Sequence, residues 1–131
     1  MWKAIALISA SAVLPVFGAC KNDRPTSITS TTGAGIVSTD DAVNHLTARR
    51  CDHEIDCKNV GAGKRYDDRG GCERDIAHAL QTELGSTVCS SGVREERLVA
   101  CLEALRTETC ANALDTMNRI APCRTTAICI Q

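Results

Sequence analysis

Nine cysteines in a chain of 131 residues constrain this protein more than any other feature. They stand at positions 20, 51, 57, 72, 89, 101, 110, 123 and 129. Aromatic residues are scarce: one Trp, one Tyr and one Phe. Trp2 and Phe17 fall in a leader-like stretch, so Tyr66 is the sole aromatic residue beyond it. Aromatic rings supply much of the buried area of an ordinary core. A domain of under ~100 residues without them gains little from burial. Cross-links are the remaining source of stability, and an even set of cysteines in a small exported domain reads as disulfides.

The odd cysteine has its own explanation. Lys3 precedes a run from Ala4 to Ala19 that is apolar or small apart from Ser9 and Ser11. This is the layout of a secretory signal, and it is shorter than the roughly 20 apolar residues of a membrane span. It ends Phe17-Gly18-Ala19-Cys20, which resembles a bacterial lipobox with Phe17 in place of the usual leucine. We therefore expect a signal peptide over 1–19 and a lipid on Cys20. The acyl chains would hold the protein to a membrane at roughly 0.8 kcal/mol per buried CH₂. Lys21 is not the Asp that retains some lipoproteins at the inner membrane, which favours the outer membrane. Residues 21–39 are rich in Ser, Thr and Gly and lack helical periodicity, so 20–39 reads as the lipidated cysteine and a flexible tether reaching ~25 Å. Residues 40–131 remain for one domain with eight cysteines and four bridges.

The periodicity of that domain is helical. Ser38 and Asp41 suggest a capping box opening a first helix from about Asp40 to Cys57, with Val43, Thr47, Cys51 and Ile55 at four-residue spacing and Gly61 as its stop. A second helix is expected from about Asp68 to Leu84, where Cys72, Ile76, Leu80 and Leu84 share a face before Gly85. A third spans about Val93 to Thr107, with Leu98, Cys101, Leu102 and Leu105 at i, i+3, i+4 and i+7. A short fourth runs from Ala113 to Ala121, capped by Asn112 and ended by Pro122. The expected fold class is all-α: a small disulfide-stapled domain of about four short helices in two hairpins. Cys51 and Cys57 on one helix would lie about 9 Å apart, and Cys101 and Cys110 about 13 Å, both beyond the ~7 Å a bridge spans. Bridges must therefore join different elements. Cys57–Cys72, closing the loop between the first two helices, is the pairing we expect.

Chemistry-bearing motifs are few. The segment Cys51-Asp52-His53-Glu54-Ile55-Asp56-Cys57 sets His53 among carboxylates. Secreted phospholipases A2 place a His on a disulfide-bonded helix, but this segment lacks their double cysteine, the Asp after the His and the glycine-rich calcium loop. The simplest placement is a solvated acidic helix end with an exposed His53. Gly61-Ala62-Gly63-Lys64-Arg65 does not match a phosphate-binding loop and reads as a connector. His45 and His53 would stand ~12 Å apart along a helix, too far to share a metal, and His78 stands alone. No closely spaced C-x₂-C pair suggests zinc, so neither metal nor cofactor is expected. The formal net charge of −1 argues against nucleic acid.

The run Ala48-Arg49-Arg50-Cys51, then Cys57-Lys58-Asn59-Val60-Gly61, Lys64-Arg65-Tyr66 and Cys72, followed by Cys89, Cys101-Leu102, Cys110, Leu114-Asp115, Cys123-Arg124 and Cys129, resembles a family of small Cys-rich bacterial lipoproteins. These are labelled natural-product-biosynthesis lipoproteins, of unknown function. The resemblance implies an envelope lipoprotein and no catalytic residue. The expected protein is a non-enzymatic, membrane-anchored module that meets an envelope protein or a small molecule. The alternative is a small secreted-type hydrolase using His53 with neighbouring carboxylates.

Overall fold

The computed structural model describes residues 35–111 and 117–131. The expected signal peptide, the acceptor Cys20, most of the tether and the start of the expected fourth helix lie outside them. Among the described residues, four α-helices and four disulfides make up the domain, as the all-α reading expects.

Helix α1 spans Thr39–Asp56. Its start follows from the sequence: Ser38 Oγ accepts from the Asp41 amide at 3.1 Å and donates to the Asp41 carboxylate at 2.7 Å. Its stop does not. The chain leaves the helix at Lys58, which takes a left-handed φ of 62°. The Lys58 amide donates to Ile55 O and the Asn59 amide to Glu54 O, which is a Schellman ending with lysine where glycine is usual. Gly61, the expected stop, lies in the following loop.

Helix α2 spans Arg69–Leu84 and is capped by Asp68, whose carboxylate accepts from the Gly71 amide at 2.7 Å. It runs back along α1: Asn44 and Ala48 of α1 line one groove with Ala77 and Glu73 of α2, and Arg69 at its start pairs with Asp52 near the α1 end. Gly85 closes α2 at a position where a Cβ would collide with the Gln81 carbonyl. Helix α3 spans Glu95–Thr107 and buries Leu98, Cys101 and Leu105.

The expected helix from Ala113 to Ala121 is corrected where the structure describes it. Met117–Arg119 and Ala121–Cys123 are 3₁₀ turns, and a four-residue helix α4 follows at Thr125–Ile128. Pro122 sits inside the second turn rather than beyond a helix, because its fixed φ suits the first positions of a helical turn. The second 3₁₀ turn and α4 pack on α3.

The domain boundary at residue 40 is also corrected. Strand β1 (Ile36–Val37) pairs antiparallel with β2 (Val93–Arg94), and Cys129 bridges to Val93 from the other side. Val37 and Val93 are buried, so the last residues of the expected tether belong to the fold. Gly92 makes the approach feasible: its φ is +89°, and a Cβ there would stand 2.8 Å from Val37 O.

The bridges are Cys51–Cys72, Cys57–Cys110, Cys89–Cys129 and Cys101–Cys123. Each joins different elements, but the expected Cys57–Cys72 pair is not among them. Because α2 returns along α1, Cys72 one turn into α2 comes level with Cys51, at 5.9 Å between Cα atoms. Cys57 lies past the α1 end in the Schellman turn and meets Cys110 beyond the end of α3. The interior is Leu46, Leu80, Leu84, Leu98, Leu105 and Ile128 around three buried bridges.

Candidate functional site

The last two turns of α1 and its C-cap carry two pairs of polar residues at i, i+4 spacing: Arg50 with Glu54, and His53 with the C-cap Cys57. Such spacing puts each pair on one face. Arg50 and Glu54 are each only 3% exposed. Their face turns toward the loop between α1 and α2. Asn59 Nδ2 donates to Glu54 Oε2 at 2.7 Å, and Arg65 Nη1 stands 4.0 Å from Glu54 Oε1.

That loop is held by its backbone. The Tyr66 amide donates to Asn59 O at 3.1 Å, and the Gly61 amide donates to Tyr66 O at 2.8 Å. The Tyr66 ring is buried, with the Arg65 guanidinium 5.3 Å from its centroid, within cation–π range. Burial pulls the Arg50 guanidinium below its ordinary pKa, and Tyr66, Glu83 and Glu54 oppose that. Burial pushes the Tyr66 phenol up, with Arg65 opposing. Arg50, Arg65 and Tyr66 line a pocket of about 250 Å³ with Asp75, Ile76 and Ala79 of α2. Ligand pockets run from ~300 Å³ upward. This pocket is smaller and mixed in charge, which suits an ion-pair cluster fastening loop to helix.

His53 is placed differently from the exposed residue expected. It is 9% exposed, and its Nε2 lies 3.1 Å from Glu108 O at the end of α3. A carbonyl can only accept, so Nε2 is the donor in this contact. The ring also faces Cys57 Sγ, at 3.8 Å from Nδ1 and 3.7 Å from Nε2. The Sγ atoms of Cys57 and Cys110 and a ring nitrogen of His53 all lie within 4.8 Å of one another. The hydrolase alternative needed carboxylates beside His53, but Asp52 engages Arg69 and Glu54 engages Asn59. His45 is half-buried in α1, and His78 is exposed on α2. Arg65 lies over Tyr66 rather than over the glycines of its loop.

Sequence reasoning missed the Arg50–Glu54 cluster because it read the Cys51–Cys57 segment, Glu54 included, as a solvated acidic helix end. The available signal was their place on the stripe of Val43, Leu46 and Thr47. It missed the His53–Cys57–Cys110 grouping because the two cysteines are 53 residues apart.

A family model, described as a family of unknown function, matches residues 51–131. The chain belongs to this family, DUF6184. The DUF6184 match opens at Cys51, so all eight bridged cysteines and both polar pairs except Arg50 lie within it. No curated protein and no solved structure matches the chain. The four disulfides of this DUF6184 domain fit an exported or otherwise oxidising setting. Among the described residues, no helix is long and apolar enough to cross a membrane.

Proposed function

We propose that this protein is a bacterial envelope lipoprotein, anchored through Cys20, whose helical domain is a rigid module for binding or structure rather than catalysis. The observation that carries this reading is the complete pairing of eight cysteines inside the domain. That leaves Cys20 as the ninth, directly after Gly18-Ala19 at the end of an apolar leader. The pairing calls for export, and the leader and its cysteine supply a route and an anchor.

Lys21 favours an outer-membrane destination, and the resemblance to natural-product-biosynthesis lipoproteins favours a role beside such a pathway. The partner would be an envelope protein or a small molecule. Mass spectrometry of the intact protein extracted from bacterial membranes tests the anchor. The expected species begins at Cys20 and carries acyl chains, and a Cys20→Ala chain leaves the membrane fraction. A mature chain without acyl groups, or a Cys20→Ala chain that stays in the membrane, would overturn the reading.

A further inference from the structure

We propose that Cys57–Cys110 is a reducible bridge and that, once opened, its two thiolates and Nδ1 of His53 form a three-ligand site for a thiophilic d¹⁰ cation, Zn²⁺ in the first instance. This goes beyond the anchoring role and does not depend on it.

The first support is access. Thiol–disulfide exchange requires a thiolate to reach a bridge sulfur. Cys110 is exposed and Cys57 half-buried, whereas both cysteines of Cys51–Cys72 and of Cys101–Cys123 are fully buried, and Cys89 and Cys129 are 0% and 7% exposed. Among the described residues, Cys57–Cys110 is the bridge whose cysteines are not both buried. The balance is that of a dithiol reductant. One of its thiolates attacks Cys110 Sγ, forming a mixed disulfide, and Cys57 leaves as a thiolate. The second thiol of the reductant then displaces Cys110 and departs as a cyclic disulfide. Two electrons and two protons pass to the protein, and the cation displaces the two protons.

The second support is geometry. Tetrahedral zinc, with Zn–S near 2.3 Å and Zn–N near 2.0 Å, needs S···S and S···N separations of roughly 3.5–3.8 Å. Nδ1 of His53 already stands 3.8 Å from Cys57 Sγ. The two sulfurs have only to relax from bonding distance by about 2 Å. The hydrogen bond from Nε2–H to Glu108 O is the outer-shell contact that fixes the tautomer and ring of a metal-binding histidine. Three protein ligands leave a fourth position open to water or a ligand.

The full chain tests this without mutation. It is treated with limiting dithiothreitol under argon and desalted, and its free thiols are alkylated and mapped. Zn²⁺ is then titrated against a chromophoric chelator, and Co²⁺ serves as the spectroscopic probe. Two thiols are expected first, at Cys57 and Cys110. The reduced chain should then bind one Zn²⁺ and show a thiolate-to-Co²⁺ band absent from the oxidised chain. His53→Gln should free the same two thiols and weaken Zn²⁺ by about tenfold or more. Circular dichroism confirms that both forms keep their helices. Prior opening of another bridge, no gain of Zn²⁺ binding on reduction, or unchanged affinity in His53→Gln would each overturn the proposal.

Discussion

Asn59 Nδ2 donates a 2.7 Å hydrogen bond to the Glu54 carboxylate, which is 3% exposed at the end of α1. A buried carboxylate that loses a donor bears a desolvation cost of about 1–3 kcal/mol. Asn59→Ala should therefore destabilise the oxidised domain by about that amount in urea unfolding. Asn59→Asp should cost more, because it sets two carboxylates side by side. An Asn59→Ala chain with the parent midpoint would show that Arg65 and the rest of the cluster satisfy Glu54 alone.

Lys58 holds the left-handed position of the Schellman turn, at φ 62°. A side chain there costs ~1–2 kcal/mol, against ~0.5–1 kcal/mol for the extra freedom glycine brings to the unfolded chain. Lys58→Gly should raise stability by about 0.5–1 kcal/mol, read as an upward shift of the thermal midpoint. A fall would mean that the lysine side chain makes a compensating contact.

The contrast between Lys58 and Ser38 shows what the sequence could reveal. Ser38 and Asp68 cap their helices with atoms three residues away, so local chemistry alone marks both starts. The α1 stop depends on a strained lysine that no composition rule selects. Likewise, helix rise excludes bridges within a helix, but choosing Cys51 over Cys57 for Cys72 requires knowing how far α2 slides along α1. The two-residue strand β1 exists only because Val93 waits in a distant segment. His53 is buried by Glu108 and Cys110, both beyond α3. Short-range signals set the helices, and long-range packing set the site.

Tyr66 is the single tyrosine of the chain, so its ionisation can be followed by absorbance without interference from another phenol. Burial raises its pKa above the ordinary 10.0, with Arg65 pulling the other way. The folded protein should titrate above 10.0 and the reduced, denatured chain near it. The sign of the linkage follows. Below 10.0 both states are protonated and this contribution to stability is complete. As the pH climbs past that value the unfolded chain ionises first, and the contribution is lost progressively up to the folded pKa. A folded-state midpoint at or below 10.0 would mean that the Arg65 cation outweighs burial.

The bridges differ in how they hold the fold. By loop entropy alone, Cys57–Cys110 closes 53 residues and Cys51–Cys72 closes 21, contributing ~4 and ~3 kcal/mol respectively. Burial reverses the order. Cys51 and Cys72 are both 0% exposed, and replacing each by alanine leaves a small cavity costing about 1 kcal/mol. Cys51→Ala with Cys72→Ala should therefore lower stability by about 5 kcal/mol, against about 4 for Cys57→Ala with Cys110→Ala. In a domain of this size, a difference of 1 kcal/mol shifts the thermal midpoint by ~4–8 °C. The reverse order would mean that the space between α1 and α2 collapses around the missing sulfurs, leaving loop length as the controlling term.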